Sequence, residues 1–249
     1  MVYDDLSLDC FPDRFFDHDV VLDEEKHRYS MASNKDMRFS SCTEFIGSFF
    51  EKFDAQSVAE NLVLNNKKYQ NRTVESVLSE WDAASEYGSM VHAEIERYLV
   101  DQVDVGDVKS EQAVVWLNEK MPVSRYQFFP ELLVFSESLG LAGTIDLLAF
   151  DKKKKRYFLI DWKTNKRISS YAFKGKKGVR GPASILPDCH TMKYGLQLSL
   201  YRFILHREYE IDVCKQAIVH LKDTEAVTIT CDYQFNQIQD FLVFDQRLL

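Results

Sequence analysis

Cysteine is scarce and unpatterned in this chain. Cys10, Cys42, Cys189, Cys214 and Cys231 are scattered among 249 residues, odd in number and without a C-x-x-C pair. Such spacing disfavours a disulfide framework and offers no zinc or iron–sulfur site, so buried free thiols of a reducing compartment are expected. Long apolar runs are missing as well. None approaches the roughly 18 residues that cross a bilayer, so no membrane partner is expected. The opening stretch MVYDDLSLDCFPDRFFDHDV is acidic and lacks the basic end and apolar segment of a secretory or mitochondrial leader. Internal repeats and long low-complexity linkers are absent too.

What is present is an ordinary globular composition, 45% hydrophobic and 28% charged. A chain of this length buries roughly 70–75% of its unfolded surface and needs no external staple. The net charge of −8 by itself argues against a nucleic-acid partner, but it is unevenly spread. From Lys152 to Arg180 the cations Lys152–Lys155, Arg156, Lys163, Lys166, Arg167, Lys174, Lys176, Lys177 and Arg180 are opposed only by Asp161. The periodicity predicts a hairpin over VVLDEEKHRYSM and a helix start at Ser41, with Glu44 three residues on. Further helices are expected through DAQSVAENLVLNN, over 73–100 with Gly88 as a candidate bend, and over SEQAVVWLNEK. YQFFPELLVFS, LAGTIDLLAF and RYFLIDWKT read as consecutive strands. The apolar helix YGLQLSLYRFILHREY, the strands CKQAIVHLKD and AVTITCD, and a terminal helix from Tyr233 follow. The order predicts a mixed α/β fold, with residues 1–124 as an N-terminal hairpin and helical region and 125–249 as the core.

Two of those strands carry acids where core strands carry aliphatics. A turn centred between Lys153 and Lys154 would set Asp146 opposite Asp161 and Thr144 opposite Lys163, with Asp161 and Lys163 on one face and Ile160 and Trp162 on the other. Like charges so opposed destabilise a sheet, and a divalent cation between them removes the conflict. An odd register would instead separate the acids onto opposite faces.

The run Glu131, Gly143-Thr-Ile-Asp146 and Asp161-Trp-Lys163 resembles the core of the PD-(D/E)xK nuclease superfamily. Gly88 four residues before His92, and Gln197 four before Tyr201, are similar to the flanking motifs of its RecB-like exonuclease branch. Within it, IDWKT and FSSCTEFIGSFF look most similar to mitochondrial genome maintenance exonucleases and their phage or viral relatives. The resemblance implies a restriction-endonuclease-like mixed sheet flanked by helices, with the His92 helix packed on the core. Some relatives hold an iron–sulfur cluster; the cysteine spacing here predicts none.

The resemblance further implies Mg²⁺ or Mn²⁺ held by Asp146 and Asp161, assisted by the Trp162 carbonyl and His92. Glu131 would act through water or at a second ion. Lys163 would orient or polarise the attacking water and stabilise charge at the phosphate. Gln197 and Tyr201 share a helix face. They would fix that lysine or meet the scissile phosphate, or else form a plain helix-to-sheet contact. The segment KRISSYAFKGKKGVRG interleaves Arg167, Lys174, Lys176, Lys177 and Arg180 with Tyr171 and Phe173, a glycine-loosened stretch suited to phosphates and bases. The expected activity is a metal-dependent deoxyribonuclease, an exonuclease on single-stranded DNA ends or flaps in replication, recombination or repair. It would work alongside proteins of those processes in the cytoplasm, the nucleus or a viral replication site. A structure-specific endonuclease or junction resolvase, and a non-catalytic nucleic-acid-binding protein, are the rival readings.

Overall fold

The computed structural model describes residues 15, 19–23, 28–34 and 36–248. Cys10, His18, His27 and the turn of the N-terminal hairpin lie outside them. Strands β1 (Val20–Asp23) and β2 (Arg28–Met31) pair antiparallel, Val20 against Met31, as their apolar–turn–apolar pattern predicts. β3 (Ser40–Ser41) leads into α1 (Cys42–Gly47), where Ser41 Oγ accepts the Glu44 N–H at 3.0 Å and satisfies one donor that a helix start leaves free. Asp54, Thr73 and Asp107 cap α2 (Ala55–Asn65), α3 (Val74–Asp101) and α4 (Val108–Lys120) in the same way. α3 runs unbroken through Gly88.

The alternating segments form β4 (Tyr126–Ser136), β5 (Leu141–Asp151) and β6 (Arg156–Lys163), followed by α5 (His190–Tyr209), β7 (Val213–Leu221), β8 (Ala226–Cys231) and α6 (Phe235–Phe244). α6 stops short of the expected end because Gln246 takes a left-handed φ of 56° and the chain turns back, Arg247 donating to the Leu139 and Gly140 carbonyls. β3 to β8 make one mixed sheet, in which β3 runs parallel to β5, β6 runs parallel to β7 and the other pairs are antiparallel. On one face α3 and α4 bury Val91, Ile95, Trp116 and Leu117 against Leu147, Ile160, Trp162 and Val219. On the other, α1 with the turn that follows it, α5 and α6 bury Phe45, Phe49, Leu200, Ile204 and Phe241 against Leu148, Leu159 and Ile218. The chain is thus an α/β fold, a mixed sheet flanked by helices on both sides. Each core draws residues from either side of residue 124, so the N-terminal helices are walls of the same body. No helix among the described residues is long and apolar enough to cross a membrane.

The turn between β5 and β6 fixes the register on which the site depends. The Asp151 carboxylate accepts the N–H groups of Lys153 and Lys154 and those of Arg125 Nε and Nη2, the last two at 3.1 and 2.5 Å. These bonds hold its carboxyl well below the usual carboxylate range, the Arg125 contact contributing most. With that turn pinned, Asp151 faces Arg156 and Leu147 faces Ile160, the register expected from the sequence.

β5 carries β4 along one edge. Its other edge is shared, β6 pairing residues 147–151 and β3 pairing Leu141 and Ala142. Gly143 to Asp146 therefore lie at a fork between two partners. Tyr201 of α5 fills the fork, so close that a Cβ on Gly143 would meet its ring at 2.6 Å. Gly143→Ala is expected to destabilise by about 1–3 kcal/mol in urea denaturation. Combining it with Tyr201→Leu should give a loss smaller than the sum of the two single changes, since the clash is with that ring.

Candidate metal centre

Register brings three acids into one transverse row. β4 pairs Pro130 with Leu147 and Leu132 with Ile145, which sets Glu131 opposite Asp146. The β5–β6 ladder ends at Leu147–Ile160, so Asp146 and Asp161 occupy the next row. At that row both ladders lapse. The Trp162 N–H donates to Asp146 Oδ2 at 2.8 Å in place of a backbone partner, and Glu131 adopts φ = 44°. A non-glycine residue in that region costs on the order of 1–3 kcal/mol and persists only where its surroundings impose it. Like charges at opposed sheet positions are themselves destabilising, and the local departure from the ladder re-aims the side chains.

His92 completes the cluster from above. α3 approaches the end of β6 closely at Gly88, where a Cβ would stand 3.1 Å from Thr164 Oγ1, and His92 follows one turn later. Its Nε2 lies 3.1 Å from the Trp162 carbonyl oxygen, a bond that places the ring proton on Nε2. Nδ1 faces Asp146 Oδ2 at 3.6 Å and Glu131 Oε1 at 3.9 Å. Ligating atoms from His92, Glu131 and Asp146 all lie within 4.8 Å of one another. Around a cation bound at about 2.1 Å, donor atoms stand roughly 3 Å apart when adjacent and about 4.2 Å apart when opposite. One imidazole nitrogen and two carboxylates gathered within 4.8 Å could hold a metal ion. The Trp162 carbonyl, expected as a ligand, accepts the bond from His92 Nε2 and so orients the histidine.

Asp161 sits apart from that trio, one strand on. It is 3% exposed, and its Oδ2 is 2.5 Å from Lys163 Nζ. Lys163 lies 5.0 Å from the centre of the Tyr194 ring of α5, and Tyr194 Oη donates to Asn165 Oδ1. The face that carries Asp161 and Lys163 is opposite that of Ile160 and Trp162, as alternation predicts. Lys163 thus sits beside the acids with its ammonium fixed by a carboxylate and a ring.

Charge repulsion and burial set the electrostatics. Burial, then Asp146, Glu96 and Asp161, push Glu131 up to about 8. Burial, opposed by Lys163, brings Asp161 to about 6. Burial alone would depress Lys163, but Asp161 and Asp146 outweigh it and raise its affinity for the proton.

Other sequence candidates are placed differently. Tyr201 is buried at 4% exposure, and Gln197 Nε2 donates to its Oη at 3.2 Å, a contact made within α5 beside Gly143. The α5 residue that meets Lys163 is Tyr194, one helical turn ahead of Leu198 and outside the Gln-x-x-x-Tyr pattern. None of Arg167, Tyr171, Phe173, Lys174, Lys176, Lys177 and Arg180 lines the cavity over the cluster. Lys176 pairs with Glu51, while Arg180 pairs with Asp245 and stacks between Phe49 and Phe244. The Val179 N–H donates to Phe49 O, and Gly178 N–H to Leu186 O. The end of the segment expected to be loose, residues 176–180, is tied down by these bonds, with Lys176 and Arg180 paired to carboxylates within the fold. Tyr171 and Phe173 remain exposed, at 87% and 71%. His190, His206 and His220 make bonds to Ser169, Asp212 and the Asn165 carbonyl, away from the trio. Sequence reading missed Tyr29, whose hydroxyl meets Thr144 Oγ1 at 3.0 Å, and Lys109, whose Nζ donates to Thr164 O at 2.8 Å.

A carboxyl whose pKa is raised by folding binds its proton more tightly folded than unfolded. Without a cation the cluster therefore costs stability progressively as pH rises from about 4 to about 8, and a cation that binds the ionised form reverses this. Mn²⁺ at a hundredfold excess over its Kd is expected to add about 2.7 kcal/mol, roughly 5–10 °C in Tm for a chain of this size. The shift should be larger at pH 8 than at pH 5.5 in calorimetry. Glu131→Gln should raise the metal-free Tm at pH 8 and shrink the Mn²⁺ response; an undiminished response would place the ion elsewhere.

No protein-family model matches the chain, and no curated protein does. Among solved structures, a likeness is found to the crystal structure of SSO0001, at 9% identity over 86% of this chain and 76% of that one, with a TM-score of 0.38. A likeness of that depth assigns neither family nor activity.

Proposed function

We propose that the chain is a metal-dependent deoxyribonuclease of the PD-(D/E)xK type, built on a restriction-endonuclease-like sheet and acting on single-stranded DNA ends. The observation that carries this reading is the row of Glu131, Asp146 and Asp161 across three adjacent strands, with His92 Nδ1 facing two of them and Lys163 beside the third. A structural sheet has no use for three acids in register, since each opposed pair costs stability. Phosphodiester hydrolysis has a direct use for them. A bound divalent cation supplies charge neutralisation at the phosphate and a more acidic water.

The chain's own groups divide the remaining work. His92, Glu131 and Asp146 present the ligand atoms. Lys163, held by Asp161 and Tyr194, keeps its proton at neutral pH and presents positive charge to a phosphate entering the cavity. Glu80 of α3 pairs with Lys166 just beyond β6, joining two walls of the cavity, so a strand would enter more readily by a free end.

Mg²⁺- or Mn²⁺-dependent loss of an end-labelled single-stranded oligodeoxynucleotide is the expected activity. Asp146→Ala and Asp161→Asn should abolish it while leaving DNA binding largely intact, and Lys163→Ala should slow it about a hundredfold, or ~3 kcal/mol. Closed circular single strands should survive. Cleaved circles would point to the endonuclease reading, and tight binding with no cleavage under either metal to a non-catalytic binding protein.

A further inference from the structure

The cavity over the cluster has a volume of about 1360 Å³, far more than an ion and one phosphate fill. One wall is a single face of α3, on which Trp81, Ala84, Ser85, Gly88 and His92 recur at one-turn spacing. No residue of α3 from Leu78 to Glu86 is buried, so this stretch, ahead of the Gly88 contact with Thr164, stands off the sheet. From His92 to Trp81 is eleven residues, about 16 Å along the helix at 1.5 Å each. The cluster lies at one end of that lane and aromatic surface at the other. Trp81 lines the cavity with Tyr69 and Lys68, whose ammonium sits 5.6 Å from the Tyr69 ring centre. Phe53, 64% exposed, backs Trp81 with ring centres 5.4 Å apart. Between the two ends this face of the helix offers Ala84, Ser85 and Gly88, with Tyr87 beside them.

Trp81 and Tyr69 are half-buried and line the cavity, so part of each ring is left open to it. Their faces suit a planar partner, and a neighbouring ammonium suits an anionic backbone. We propose that Trp81, backed by Phe53 and flanked by Tyr69, is a stacking subsite for an unpaired nucleobase of the strand whose phosphate reaches the His92–Glu131–Asp146 cluster. The subsite rests on the nuclease reading for what happens at the cluster, and it deepens that reading by stating how single strands are chosen. A duplex base has both faces covered by its neighbours and offers Trp81 none. The lane of about 16 Å is roughly five phosphates at the spacing of 3.4 Å in B-form DNA, and fewer in a stretched strand.

The molecule carries its own reporter. Trp116 and Trp162 are 5% and 1% exposed and packed edge to face, so among the three tryptophans Trp81 is the one open to a ligand. Short oligothymidylate, added in EDTA to prevent cleavage, is expected to quench tryptophan emission. The same oligomer with abasic sites, and a blunt duplex, should not. Trp81→Ala should bind oligothymidylate about 5- to 100-fold more weakly than wild type and no longer distinguish it from the abasic strand. Equal wild-type affinity for the two strands with unchanged emission would overturn the subsite, as would failure to bind oligothymidylate at all. The wild-type abasic comparison keeps the test valid if Trp81→Ala folds poorly. Quenching without any cleavage under Mg²⁺ or Mn²⁺ would uphold the subsite and sink the nuclease reading, so the two fail separately.

Discussion

Repulsion among carboxylates held in register is the constraint around which this molecule is arranged. Three neighbouring strands each bring an acid to the same row, and the hairpin turn capped by Asp151 leaves them no freedom to slip apart. The fold answers by breaking its own ladder at that row, by taking Glu131 into left-handed backbone and by giving Asp146 the Trp162 N–H. Burial makes the conflict sharper, since water cannot screen it. The result is a site whose ionised form is poorly tolerated by the protein alone, and whose His92, Glu131 and Asp146 could hold a metal ion.

The surrounding shell keeps this geometry from relaxing. Gly88 lets α3 close on Thr164, Lys109 of α4 grips the carbonyl of the same residue, and the Trp162 carbonyl sets which nitrogen of His92 faces the acids. From the opposite face of the sheet, Tyr201 packs into the fork left by Gly143, and Tyr194 covers Lys163. Helices on both faces thus converge on one break in one sheet. Pre-organisation of this kind is what a reaction governed by charge requires, because donors already in place need not reorganise when charge develops.

Electrostatics outside the cluster are more local than composition suggests. The basic stretch 166–180 reads as a ready surface for phosphate, yet Lys176 and Arg180 are tied to Glu51 and Asp245. Part of the apparent cationic patch is thus neutralised within the fold. The cavity instead joins lysines from distant segments, Lys68, Lys109, Lys163 and Lys166, to an aromatic end around Trp81.

Local pattern carried most of the architecture. Apolar runs bounded by turns placed β4, β5 and β6 nearly to the residue, cap chemistry placed α1, and the even hairpin turn gave the register that opposes Asp146 and Asp161. These are short-range effects, written in neighbouring residues. Where β3 joins β5, which nitrogen of His92 faces the acids, why Tyr194 and not Tyr201 meets Lys163, and which cations are consumed by Glu51 and Asp245 all depend on segments far apart in the chain. Sequence alone determined the strands and their acids; tertiary packing decided which of those acids share a site, because helices from both faces must close on the same broken row before any side chain acquires its partner.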